Sequence, residues 1–274
     1  MGKRSRGLTA KLKGALRQRM GAESEGERLR RALLVVPRGT PGAVRAFGWD
    51  LEYVDSHALW SCLDVLVLSR WNDFTPDNDE PRILDCGANI GISVLNYKRL
   101  FPRARIIAFE PDPFIVPVLR RNLAKNGCGD VIVVEAAVAL KEGEARFFCE
   151  GADGSRLISE SQHTSATTVL VRTVALGDYL SDMIDLLKVD IEGAEFELIP
   201  HVVASLHHVK NMVVECHLTN RDVAPFANLL QFLANANFSV AVNSYGAWRD
   251  LVHRPPKGVY EFDQYLLVAA WRDE

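Results

Sequence analysis

From residue 82 onwards, short apolar runs alternate with stretches whose apolar residues recur every three or four positions. Runs of that length read as strands, and the spaced stretches as helices laying one face against them. The pattern predicts strands over 82–85, 105–109, 131–135, 186–190, 212–216, 239–242 and 265–270, and helices over 92–101, 113–126, 194–198 and 224–236. Such alternation builds βαβ units, hence an α/β fold with a mostly parallel sheet and helices on both faces. Residues 145–148 and 168–174 look instead like an inserted antiparallel pair. Before the sheet, 8–34 carries an amphipathic pattern broken around Gly21, 45–54 suits a hairpin, and 56–68 suits a helix. The Asp-, Asn- and Pro-loaded stretch 72–81 marks a boundary. The chain therefore divides into a basic, helical N-terminal extension with its linker, 1–80, and a sheet domain, 81–274.

Candidate chemistry sits where strands run into turns. The run Leu84-Asp85-Cys86-Gly87-Ala88-Asn89-Ile90-Gly91 reads as a buried strand, a glycine turn and a helix start. Ala108-Phe109-Glu110-Pro111 ends the next strand on an acid, 19 residues beyond Gly91. Ligands of open α/β sheets bind at those strand ends, and an acid there accepts hydrogen bonds from ribose hydroxyls. The pair points to an adenosine-containing cofactor. A dinucleotide fingerprint needs G-x-G-x-x-G so that a pyrophosphate can rest on a helix N-terminus. Here Asp85 stands where the first glycine would be, and a carboxylate there repels pyrophosphate. A cationic ligand suits it better: S-adenosylmethionine carries an ammonium and a sulfonium, with a carboxylate for the N–H groups near Gly87. The plainer alternative is a capping Asp and glycines that only turn the chain.

Those two stretches, with Ile184-Asp185-Leu186-Leu187-Lys188-Val189-Asp190-Ile191-Glu192-Gly193-Ala194-Glu195, resemble the FkbM-type family of S-adenosylmethionine-dependent methyltransferases over roughly residues 81–270. The third stretch is the family-specific one. The resemblance implies a class I methyltransferase, with a Rossmann-like seven-stranded sheet whose last strand inserts antiparallel. It implies S-adenosylmethionine bound through Asp85, Gly87, Asn89, Gly91, Glu110 and Pro111, with Asn126, Glu135 and Ala137 as further candidates for the adenine pocket. It places Asp190 over the methyl donor and makes the acceptor a hydroxyl of a sugar, polyketide or related small metabolite or glycan. Two other readings remain: a nicotinamide-dependent oxidoreductase of similar fold, and a catalytically degenerate binding or scaffold protein.

Glu215 and His217 project from the same side of their strand. An acid beside an imidazole raises the imidazole pKa and holds its tautomer, which suits a general base. The base is accordingly assigned to His217, supported by Glu215, with Asp190 orienting the acceptor; the alternative is Asp190 as base, with or without a metal, and His217 as a structural partner. Glu195 is assigned to the helix N-terminus, where acids complement the helix dipole. Asp190, Glu215 and Asn220 offer oxygen ligands of the kind some sugar O-methyltransferases use for magnesium, but the adjacent carboxylate pair is missing and no metal is assigned. Residues 151–167 and 243–262 are long and polar, the latter with Tyr245, Trp248, His253 and Tyr260, and are expected to contact substrate.

Composition changes this picture little. Hydrophobic residues make 48% of the chain and charged ones 24%, ordinary for a globular protein. Five scattered cysteines without C-x-x-C spacing read as reduced thiols and, with no signal core, favour a cytoplasmic location. No apolar run approaches the ~18 residues of a membrane span. Residues 1–20 hold Lys3, Arg4, Arg6, Lys11, Lys13, Arg17 and Arg19 and no acid. That arm allows weak peripheral contact with anionic lipid, but without interleaved aromatics no nucleic-acid partner is expected.

Overall fold

The computed structural model describes residues 23–149, 155–157, 167–218, 222–245 and 264–272. Helix α1 (Glu25–Leu34) opens on a capping box in which Ser24 and Glu27 satisfy each other's backbone N–H groups. Strands β1 (Gly42–Ala46) and β2 (Trp49–Tyr53) form a hairpin. Its two turn residues, Phe47 and Gly48, both have positive φ, 51° and 91°, the geometry whose twist matches the flanking strands. Helix α2 (Ser56–Cys62), capped by Asp55, runs directly into a π-helical turn, Leu63–Leu68.

The main sheet comprises β3 (Arg82–Cys86), β4 (Arg105–Phe109), β5 (Ile132–Val134), β10 (Ile184–Val189), β11 (Val209–Leu218), β12 (Ser239–Tyr245) and β13 (Gln264–Trp271). Its order is β12-β13-β11-β10-β3-β4-β5, and only β13 runs antiparallel to its neighbours. Every residue of β10 is buried, as expected of a central strand covered on both faces. Helices α3 (Ile92–Leu100), α4 (Val116–Lys125), α5 (Glu195–Val202) and α6 (Val223–Asn235) cover the two faces. A second sheet, ordered β6-β9-β7-β8, is built from β6 (Ala137–Ala139), β7 (Gly143–Phe148), β8 (Arg156–Leu157) and β9 (Thr168–Ala175). It contains the expected antiparallel pair, β7 with β9.

Strand alternation sorts the core into two layers. Leu84, Cys86, Leu187, Val189 and Val214 pack with Leu229 and Leu233 of α6. Ile83, Ile106, Leu186 and Val213 pack with Leu95 and Leu119 on the other side, and the same cluster contains Leu29, Leu33, Trp49, Leu51, Leu59 and Leu63. The N-terminal segment is thus one wall of the main core. No helix among the described residues is long and apolar enough to cross a membrane.

Candidate active site

The turn after β3 is shaped by close approach. Gly87 has φ +85°, and a Cβ there would lie 1.8 Å from the carbonyl oxygen of Asp190, so any side chain would have to displace the end of β10. Gly91 has φ +93° and meets Leu119 in the same way, at 2.7 Å. The loop amides are all engaged. Those of Gly87 and Ala88 donate to Phe109 O at 3.0 Å each, Gly91 N donates to Ala88 O at 2.9 Å, Asn89 N to Glu110 Oε2 at 2.8 Å, and Ile90 N to Asn89 Oδ1 at 2.6 Å. This corrects the expectation that a ligand carboxylate uses the N–H groups near Gly87. It also supplies a better reason against pyrophosphate than the charge of Asp85.

Asp85 itself faces inward rather than solvent. Its side chain is fully buried, and its oxygens meet Ser93 Oγ and, at 3.2 Å, Lys188 Nζ. Lys188 stands beside Asp85 in the β3–β10 register and also reaches Gly87 O at 3.0 Å and Asp190 Oδ2 at 3.1 Å. Burial opposes its charge, but the Asp190 and Asp85 carboxylates outweigh burial and hold its pKa well above the ordinary lysine value. Lys188 therefore ties the glycine turn, the motif acid and Asp190 together, a role the sequence reading missed.

Glu110 does stand at the carboxyl end of β4, where it accepts from Asn89 N and, at 2.9 Å, from Asp112 N, so Pro111 lies in a turn closed by this carboxylate. Burial, partly offset by those two hydrogen bonds, pushes its pKa up to about 7. Asp112, also missed, is fully buried beside it with Oδ2 lacking a hydrogen-bond partner. The further adenine-pocket candidates separate. Glu135 follows β5 at the same sheet edge but turns outward to Arg120, 2.7 Å away, while Ala137 is buried at the start of β6. Asn126 is elsewhere: its amide bonds Asp50 N and Asp50 O, 3.0 Å each, and docks the hairpin. Its side chain serves the hairpin rather than the end of β4 or β5.

On the other side of Gly87, β10 and β11 bring their ends together. Val189 pairs with Val214, leaving Asp190 and Glu215 as the next neighbours. His217, with a side chain 1% exposed, points its Nε2 at Glu192 Oε2 (3.3 Å), Glu215 Oε1 (3.7 Å) and Asp190 Oδ1 (3.9 Å). Its Nδ1 lies 3.2 Å from Glu195 Oε1. Glu195 is fully buried and also accepts from Ile191 N and Gly193 N. The residue that holds the ring through Nδ1 is therefore Glu195, not Glu215. Burial lowers the His217 pKa, but the Glu195 hydrogen bond and the Glu192, Glu195 and Glu215 charges dominate and lift it to about 10. A raised pKa favours the imidazolium, so the His217 base expected from the sequence competes with the Asp190 and Glu215 carboxylates that stand beside it. Glu192, with φ +59° ahead of Gly193 at +102°, is the other residue missed. The acids at 190, 192 and 195 around a glycine were the available signal. Asn220, residues 158–166 and residues 246–263 lie outside the described residues, so the sites expected there are not placed.

Parallel-sheet order, the glycine turn between β3 and α3, and an acid ending β4 together define a class I methyltransferase. The chain belongs to the methyltransferase FkbM domain family, whose profile matches residues 85–240. It is 33% identical to methyltransferase sdnD of Sordaria araneosa, over 56% of this chain and 70% of that protein. It is 27% identical to the 2-O-methyltransferase NoeI of Sinorhizobium fredii, over 45% of this chain and 58% of that one. Among solved structures, TYW2 of M. jannaschii in complex with AdoMet superposes with a TM-score of 0.50 at 12% identity, covering 87% of this chain and 89% of that one.

Proposed function

We propose that this methyltransferase takes its methyl group from S-adenosylmethionine and delivers it to a hydroxyl of a sugar, polyketide or related small metabolite or glycan. The observation that carries the reading is the paired site around Gly87, with Glu110 on one side and the Asp190–Glu215–His217 cluster on the other. Glu110 accepts from the ribose hydroxyls, and Glu135 and Ala137 border the adenine side. The 2-O-methyltransferase among the relatives supports oxygen as the acceptor atom.

Transfer is an in-line displacement: the acceptor oxygen bonds the methyl carbon, the carbon–sulfur bond breaks with its electrons on sulfur, and the hydroxyl proton leaves. Most of the rate comes from holding donor and acceptor in near-attack geometry. A base adds about 10²–10⁴-fold. Asp190, the more exposed carboxylate of the pair, orients the acceptor; Glu215, whose pKa burial and the Asp190 charge push up to about 8, takes the proton in its ionised form; and His217 holds the carboxylates in place as their counter-charge. Calorimetric titration with S-adenosylhomocysteine and with NAD tests the cofactor: only the first is expected to bind, and tight NAD binding, or binding of neither, defeats the reading. Mass spectrometry of metabolites and surface glycans with and without the gene tests the acceptor; a methylation difference confined to proteins or RNA defeats the small-molecule assignment.

A further inference from the structure

Asp190, Glu192 and His217 each offer one donor atom, and these atoms all lie within 4.8 Å of one another. We propose that they bind a divalent cation, and that this cation activates the acceptor hydroxyl in the reaction proposed above, on which this second role rests. Metal–ligand bonds of about 2.1 Å put neighbouring donors about 3.0–3.4 Å apart in octahedral or tetrahedral geometry. The distance from His217 Nε2 to Glu192, 3.3 Å, already has that spacing, and Asp190, at 3.9 Å, has to close by about half an ångström or more, within reach of a side-chain rotation.

The imidazole separates this group from a mere run of surface acids. It is buried, its Nδ1 is held by the Glu195 carboxylate, and its Nε2 is thereby aimed at the other two donors. Carboxylate, imidazole and metal in that sequence is how protein sites fix the orientation and basicity of a histidine ligand. Charge agrees with geometry. Among the described residues, Asp190, Glu192, Glu195 and Glu215 surround this imidazole, and Lys188 adds one cation from the Asp85 side. A bound dication would replace the imidazolium as the counter-charge of those acids, its binding releasing the Nε2 proton to solvent and leaving the imidazole neutral.

Two carboxylates and one imidazole suit a first-row dication with oxygen preference, such as Mn²⁺, leaving further positions for water or acceptor. Bound there, it would polarise the acceptor oxygen as a Lewis acid. The released proton passes to Glu215, which lies beside the three ligands rather than among them. Glu195 acts through His217 and is a positioning residue.

The chain, stripped with EDTA, is titrated with Mn²⁺ while the free ion is followed by its electron paramagnetic resonance signal. One equivalent is expected to bind saturably. Asp190→Asn and Glu192→Gln should weaken it at least about tenfold, and Glu195→Gln by about 10- to 100-fold with S-adenosylhomocysteine affinity retained. Absence of saturable Mn²⁺ binding overturns the site, as does binding unchanged by Glu192→Gln or methyl transfer undiminished in EDTA. Should a variant fail to fold, the wild-type titration alone decides. A chain that binds Mn²⁺ but not S-adenosylhomocysteine leaves the cation site standing and removes the methyl-transfer reading instead.

Discussion

At the residue scale, the two buried charges flanking Gly87 do different work. Lys188 neutralises Asp85 and Asp190 at once, and nothing else among the described residues could take its place at 3.2 and 3.1 Å. Lys188→Met leaves two carboxylates facing each other in the interior. Removing one partner of a buried ion pair costs about 3–5 kcal/mol. Urea denaturation should show that loss, and a variant as stable as the wild type would mean that water already screens the pair. Glu110 sets a pH dependence instead. Its pKa rises from an ordinary 4.5 to about 7, so the unliganded protein holds a proton that the unfolded chain releases between those values. Raising the pH through that window therefore removes stability, and lowering it restores stability. Cofactor binding has the opposite slope, because ribose hydroxyls donate best to the ionised carboxylate. Affinity for S-adenosylhomocysteine should be full above pH 7 and weaken progressively below it. Glu110→Gln should flatten that profile; a slope that survives the substitution belongs to another group.

At the element scale, α4 closes the free edge of the hairpin by imitating a strand. Asn122 and Asn126, one helical turn apart, present their amides to alternate residues of β2. Asn122 accepts from Glu52 N at 2.7 Å and donates to Glu52 O at 2.9 Å, while Asn126 does the same for Asp50 at 3.0 Å. Arg121 and Lys125 bind the Glu52 carboxylate alongside. Backbone groups at such an edge need partners once covered. Asn122→Ala strands three backbone groups, Glu52 N, Glu52 O and Ile90 O, at a cost of about 1–3 kcal/mol for each that stays buried. Asn126→Ala, nearer solvent, should cost less and leave S-adenosylhomocysteine affinity unchanged. Hydrogen exchange at the Asp50 and Glu52 amides reads the loss directly. A large fall in cofactor affinity for Asn126→Ala would return that residue to the adenine pocket.

At the scale of the whole molecule, the strands of the main sheet and the glycine turn were legible because both follow from local pattern, apolar runs of strand length and glycines where φ is positive, whereas the antiparallel last strand came from the family resemblance. The sequence also marked Glu110, Asp190, Glu215 and His217. It did not show that Lys188 lies between two acids, since that depends on parallel register between β3 and β10, nor that Glu195 folds back onto His217 across a turn. It also divided the chain at residue 80, because the Asp- and Pro-rich stretch before β3 looks like a linker. The packing argues against a separable extension. Leu29, Leu33, Trp49, Leu51, Leu59 and Leu63 are buried in the cluster that holds Ile83, Leu119 and Leu186. Each large apolar side chain buried contributes about 1.5–3 kcal/mol. Their sum rivals the about 5–15 kcal/mol that separates a folded domain from its unfolded chain. A fragment beginning at residue 81 should therefore show no cooperative thermal transition and bind no S-adenosylhomocysteine. Removing residues 1–22 leaves every one of those contacts in place and should preserve both. If the fragment 81–274 melts cooperatively and binds S-adenosylhomocysteine as tightly as the intact chain, the sheet domain stands without its N-terminal wall, and the division at residue 80 is a real domain boundary.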